Sequence, residues 1–193
     1  CPGAIFRLGV GQDTGHPQML HNEWFCPDET GMKTGMLIAS LFPIAGVIWY
    51  QGESDAEIQD MEQNKKLLKD IITSWRRRMN NPDMPFIMVQ LPRINDKTPL
   101  RAYWPEFRQV QAEVADELPG VGCVVTLDLG STNSDVHPPR KVEVGERLAA
   151  TALKEVYDRD VAAYGPEVAG FKVKGNKVEV RFKHAEGLKT TNG

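Results

Sequence analysis

Two short stretches hold residue types at spacings that could handle an acyl group. In Asp128-Leu-Gly-Ser-Thr-Asn-Ser-Asp-Val-His-Pro138 a carboxylate, Asp135, stands just before an imidazole, His137. An acid that holds a histidine acting as base is the proton-handling half of a hydrolase triad. In Gly46-Val-Ile-Trp-Tyr-Gln-Gly-Glu-Ser-Asp55 an apolar run gives way to Gln51, Gly52 and Glu53. Glycine lets a backbone N–H approach a ligand closely, and a glutamine amide is a suitable second donor to an oxyanion. Plainer roles exist for each: a solvated loop for His137, a helix cap for Asp135, and a strand-to-helix turn capped by Ser54 for Gln51-Gly52. Glu53 could pair with a base or simply favour the positive end of a following helix. Asp128 is a rival acid, although its place at a strand end also suits a structural turn.

The chain shows no obvious nucleophile to go with these groups. Ser40 and Ser74 fall in helical patterns, Ser54 fits a cap, and Ser131 and Ser134 share a loop with the base, so the chain would have to fold back sharply. No Gly-x-Ser-x-Gly elbow occurs. A metal is not indicated either, because His16, His21 and His184 lack ligand spacing and Cys1, Cys26 and Cys123 contain no Cys-x-x-Cys. Cys123 lies in an apolar run and reads as a small buried hydrophobe, while the spacing of Cys1 and Cys26 leaves their pairing open. No cofactor is called for.

The elements that must position these residues follow from the hydrophobic pattern. Residues 1 to 30 are rich in Gly, Pro, His and Asp and read as loop. A short helix is expected from Lys33 to Phe42, ended by Pro43, then a buried strand from Ala45 to Tyr50. A long helix follows from Asp55 to Met79, with Ile58, Met61, Leu67, Leu68, Ile71, Ile72 and Trp75 on one side, Ser54 and Glu57 as a capping box, and Arg76-Arg77-Arg78 at the dipole's negative end. Strands at Pro85 to Leu91 and Val121 to Leu127 alternate with helices at Trp104 to Glu117 and Arg140 to Tyr157, with Pro92 to Pro99 a polar loop. Continuously apolar strands alternating with helices predict an α/β fold whose parallel sheet is covered on both faces, with ligands at the strand ends. Beyond Tyr157 the pattern changes to two alternating strands, Glu167 to Lys174 and Lys177 to Lys183, around Gly175-Asn176. This predicts one domain over residues 1–160 and the start of a β-rich module over 161–193.

With 193 residues, a net charge of −3 and 25% charged residues, the chain has one substantial core and no basic field for nucleic acid or polybasic anchor for a membrane surface. The longest apolar stretch, Met36 to Tyr50, is interrupted by Pro43 and falls short of the roughly 20 residues of a membrane span.

The motifs resemble those of the SGNH hydrolases, in the branch that holds sialate O-acetylesterases and acetylxylan esterases. The resemblance rests on Gly46 to Asp55, on Trp104-Pro-Glu-Phe-Arg-Gln-Val-Gln111, and on Asp128-Leu-Gly, Asp135-Val-His-Pro138, Lys141 and Val144-Gly-Glu-Arg-Leu-Ala149, in the family's order over roughly residues 33 to 157. It implies a three-layer α/β/α fold and removal of acetyl groups from a sugar by a serine nucleophile, without metal or cofactor. His137 would be the base, Asp135 its orienting acid, and Gln51 with Gly52 the oxyanion block beside Glu53. Arg108 and Gln111 would be structural or substrate-proximal. A secreted or periplasmic setting is implied by such substrates. In this family the serine lies in a Gly-Gln-Ser-Asn-like or Gly-Asp-Ser-like block after the first strand. The nearest match here, Gly11-Gln12-Asp13-Thr14, has aspartate in the serine's place. The expectation is therefore a C-terminal portion of a longer esterase, incomplete at the N-terminal side of its sheet and inactive alone. Its exposed sheet edge would be covered by the missing segment or by another copy. The alternatives are a non-catalytic carbohydrate-binding relic of the same fold and an unrelated flavodoxin-like binding domain.

Overall fold

The computed structural model describes residues 44–189. Three strands, β1 (Val47–Trp49), β2 (Phe86–Val89) and β3 (Val121–Val124), form a parallel sheet in that order. Val47 stands opposite Phe86, and Phe86 opposite Val121. The connections are helices α1 (Met61–Arg78) and α2 (Trp104–Glu117), and α3 (Lys141–Glu155) follows β3. Because side chains alternate along a strand, each strand feeds both layers. On one face Val47, Trp49, Phe86 and Met88 meet Leu68, Ile71, Ile72 and Trp75 of α1 and Val110 and Val114 of α2. Trp49, Trp75 and Phe86 stack there with ring centroids 6.0 to 6.4 Å apart, two of the pairs edge to face. On the other face Ile87 and Val124 meet Ala152, and Val89 meets Val144, so α3 closes the third layer. The expected α/β/α sandwich is present, and among the described residues β1 and β3 are its edges.

The helix expected to begin at Asp55 instead begins at Met61, after a 3-10 turn at Asp55–Glu57. Ser54 makes no side-chain cap; Asp60 accepts from the Gln63 N–H at 2.9 Å and is the N-cap. Asp60 with Gln63 three residues on is itself a capping signal, and it outcompetes Ser54. Asn64 ties the break together, donating to Asp55 O at 3.1 Å and Ile58 O at 3.2 Å. The third strand also ends early. Gln90 N–H takes the Val124 carbonyl, whereas the Val125 carbonyl receives Arg147 and the chain turns into a 3-10 helix at Leu127–Leu129.

β4 (Glu167–Lys174) and β5 (Lys177–Lys183) form the antiparallel hairpin expected around Gly175, whose φ of +61° suits the turn. Phe171 stands opposite Val180 and Val173 opposite Val178 on an exposed face. Cys123 is a free thiol that burial pushes up to about 12. The helix expected from Lys33 to Phe42, Ser40, the Cys1 and Cys26 question and the Gly11-Gln12-Asp13-Thr14 stretch lie outside the described residues. No helix among the described residues is long and apolar enough to cross a membrane.

Of the three arginines ending α1, Arg76 is buried. Its Nε donates to the Met84 carbonyl at 2.9 Å and its Nη2 to the Pro119 carbonyl at 2.7 Å, tying the helix end to the segments that enter β2 and β3. Arg76→Met strands both carbonyls and is expected to lower stability by about 2 to 3 kcal/mol. Arg77→Ala, on the exposed side, should stay within about 0.5 kcal/mol. Urea unfolding with unchanged m-values would check both.

Candidate active site

The loops that leave β1 and β3 are seated on one apolar cluster at the strands' C-terminal edge: Ala56, Leu91, Trp104 and Phe107, with Val136 and Ile94 packed against it. Phe107 holds the first loop. A Cβ on Gly52 would come within 2.5 Å of its ring, and the φ of +138° there disfavours any side chain, so glycine is required twice over. Val136 holds the second, placing Asp135 and His137 on either side of a half-buried anchor. The loop after β2 braces it: Asn95 Nδ2 donates to Thr132 O at 2.9 Å and Asn95 N–H to Asn133 O at 3.2 Å.

Within the His loop, successive side chains cap the main chain. Asn133 Oδ1 accepts from the Asp135 N–H at 3.0 Å, and Asp135 Oδ1 accepts from the His137 N–H at 2.8 Å. The same Asp135 oxygen lies 3.1 Å from His137 Nδ1. Donation of the His137 backbone N–H, more than the ring, holds the Asp135 carboxyl below the usual carboxylate range. Contact through Nδ1 turns the opposite nitrogen, Nε2, away from the carboxylate, the orientation a general base needs. Asp128, the rival acid, is forked onto Arg147, with Oδ1 to Nη1 and Oδ2 to Nη2 both 2.7 Å. It fastens the β3 loop to α3.

Glu53, in the first motif, lies within electrostatic reach of His137 in the second. Its carboxyl is pushed up chiefly by burial, opposed by the backbone N–H groups of Glu53 and Gly52 and then by the charges of His137 and Lys141. Glu53 Oε2 accepts from the Gly52 N–H at 3.1 Å, so the donor expected to face an oxyanion is here turned to Glu53. Gln51 Nε2 donates to Asp55 Oδ2 at 3.0 Å. Asp55 is fully buried and fixes which way the amide points, a role the sequence pattern hides by placing it where a helix start is expected. Tyr50 was also missed. Burial, then Glu53, pushes its phenol up to about 12, and its ring carries the Lys141 ammonium 4.5 Å from the centroid.

Gln111 is bonded to the main chain of β2 and its extension: its Oε1 accepts from Leu91 N–H at 2.8 Å and its Nε2 donates to Val89 O at 3.2 Å. It acts as a strand neighbour where β2 runs out, which is a structural role. The Arg108 carbonyl accepts from Gln90 Nε2 at 3.0 Å, and its Nη1 lies 3.4 Å from Pro92 O at the rim of the same loop. Of the serines, Ser74 lies in α1, Ser131 is buried and Ser134 is exposed in the His loop. No cluster of metal-ligating side chains occurs among the described residues.

The described residues thus place an acid–imidazole pair and a Gln-Gly-Glu turn at one edge of a three-layer parallel sheet. The chain belongs to the family described as "Carbohydrate esterase, sialic acid-specific acetylesterase", which it matches over residues 31–154. Its fold is similar to the crystal structure of a carbohydrate acetylesterase from Xanthomonas citri, with a TM-score of 0.66 and 29% identity. That similarity covers 75% of this chain and 33% of the other, so the chain spans about a third of that enzyme's length. No curated protein matches it in sequence.

The raised Glu53 carboxyl has a thermodynamic signature. The folded state prefers the protonated form, so stability present below the ordinary value of 4.5 is lost as pH rises through the higher folded value. Glu53→Gln removes that loss. The variant should melt at a higher temperature than the parent at pH 7, with the difference closing below about pH 4. Calorimetry at the two pH values reads it, and a variant less stable at pH 7 would mean that the hydrogen bond and cations around Glu53 outweigh its desolvation.

Proposed function

We propose that this chain carries the base-bearing part of the active site of a carbohydrate O-acetylesterase. The observation that carries the reading is the Asp135 oxygen placed against His137 Nδ1 in a braced loop, at the sheet edge where Gln51, Gly52 and Glu53 also lie. Family membership and the acetylesterase neighbour support an ester bond on a sugar as the substrate.

In the reaction, His137 Nε2 takes the proton of a serine hydroxyl as the serine oxygen attacks the acetyl carbonyl. The new C–O bond leaves negative charge on the former carbonyl oxygen, which needs donors from the Gln51-Gly52 turn. For Gly52 this requires Glu53 to release its N–H when substrate enters. Collapse of the intermediate breaks the bond to the sugar oxygen, which takes the proton back from His137. Water, deprotonated by the same imidazole, then hydrolyses the acyl-enzyme to acetate. Asp135 holds the ring in the required tautomer and stabilises the imidazolium. On this reading the serine itself is contributed from outside residues 44–189. A glycan substrate of this kind suits a secreted or periplasmic enzyme.

Kinetics on an acetyl ester with the full-length gene product test the assignment. His137→Ala should lower kcat/KM by about 10³ or more, and Asp135→Asn by about 10² to 10⁴. Asp128→Asn, which loosens only the Arg147 fork, should cost less than tenfold. Hydrolysis that survives His137→Ala would overturn the reading and favour a carbohydrate-binding domain that kept the fold.

A further inference from the structure

The loop that leaves β2 is bonded to both motif loops. On the side of β3 it carries the contact beyond the end of the sheet. Thr126 Oγ1 donates to Gln90 O at 2.6 Å, the Arg93 N–H reaches the Leu127 carbonyl at 3.4 Å, and Asn95 ends the run with its two bonds to Thr132 and Asn133. Between these, Gly130 is pressed against the Arg93 main chain, where a Cβ would stand 2.0 Å from the Arg93 oxygen. The φ of −68° at Gly130 suits any residue, so closeness alone demands glycine there. The run stops at Asn133, whose Oδ1 holds the Asp135 N–H.

On the side of β1 the same loop ends in a charged clamp. Arg101, the last residue of a 3-10 turn at Pro99–Arg101, donates through Nη1 to Glu57 Oε1, and its Nε lies 3.7 Å from Asp96 Oδ2. Asp96 is itself fixed by accepting from the Thr98 N–H at 2.9 Å. The guanidinium carbon lies 5.5 Å from the centroid of Trp104, a member of the apolar cluster that seats the two motif loops. Glu57 closes the turn whose first residue, Asp55, accepts from the Gln51 amide. One continuous line of bonded groups therefore joins the Gln51 turn to the His137 loop.

We propose that segment 90–101 is a strut that fixes the distance between the Gln51-Gly52 turn and the His137 loop, with Arg101 and Asn95 as positioning residues at its two ends. Each acts through a partner, Arg101 through Glu57 and Asn95 through the main chain of Thr132 and Asn133. The proposal rests on His137 being the base, as in the preceding section. A proton transfer and an oxyanion site served by separate loops lose rate when the loops drift by about an ångström, and the loss falls on the transition state more than on substrate binding.

Steady-state kinetics of the full-length gene product on para-nitrophenyl acetate test it, at a temperature where circular dichroism shows each variant folded. Arg101→Met and Asn95→Ala should each lower kcat by about tenfold or more, with KM within about threefold, because alignment rather than binding is lost. Glu57→Gln should act in the same direction as Arg101→Met, and Arg101→Lys, which keeps a cation for Glu57, should recover most of kcat. Releasing both ends of one strut costs little more than releasing one, so the double variant of Arg101→Met with Asn95→Ala should fall well short of the product of the single losses. Lys97→Ala, exposed on the same loop, should be neutral. An unchanged kcat in Asn95→Ala together with either Arg101→Met or Glu57→Gln overturns the proposal. So do single losses that multiply, or a loss confined to KM, which marks a substrate contact. Loss of the function reading has a different mark, hydrolysis that survives His137→Ala, and the proposal falls with it.

Discussion

The arrangement depends on one small apolar contact, the Phe107 ring lying against Gly52 in the cluster that also receives Val136. Parallel strands connected by helices bring their C-terminal ends to one edge of the sheet, but they do not by themselves align two loops closely enough for chemistry. The cluster around Phe107 does this by receiving both: Gly52 against the Phe107 ring, Val136 against the cluster. One loop can approach only because Gly52 has no side chain, and the other turns its apolar residue inward, leaving Asp135 and His137 outward. The ring is buried on α2, and α2 is in turn bonded through Gln111 to the end of β2. A chain of ordinary packing and hydrogen bonds thus runs from the core to the edge that holds the candidate site.

On that base the site is governed by charge in a partly desolvated place. Glu53 is held where burial disfavours its ionised form, yet it takes the Gly52 N–H and feels the charges of His137 and Lys141. Such a carboxylate is poised to change partners when another acceptor competes for the same N–H. Asp135, nearer solvent, is stabilised as an anion by the turn it caps. The two carboxylates therefore differ in environment as well as in position, and difference of environment is how similar groups acquire separate roles.

Much of this is legible in the sequence. The three parallel strands, the start of α2 at Trp104 and the hairpin around Gly175-Asn176 follow from runs of apolar residues and strong turn chemistry, which act locally. The acid–imidazole pair was visible because its members are close in sequence. The start of α1 was misplaced because Ser54 and Asp60 both look like caps and local propensity cannot rank them; Asn64, which bonds the carbonyls of the break, decides in favour of Asp60. That Asp128 is engaged by Arg147, distant in sequence, could not be read locally. Asp55, Tyr50 and Phe107 escaped for the same reason: what each does depends on a partner that only the fold supplies.

The central claim is that His137 and Asp135 serve a serine held on another segment. It is tested most directly by fluorophosphonate labelling of the full-length gene product and of this chain, with the modified peptide identified by mass spectrometry. The account predicts one labelled serine in the full-length protein, outside residues 44–189, with labelling lost in His137→Ala. Labelling at Ser54 or Ser134, or no labelling of either protein, would contradict it.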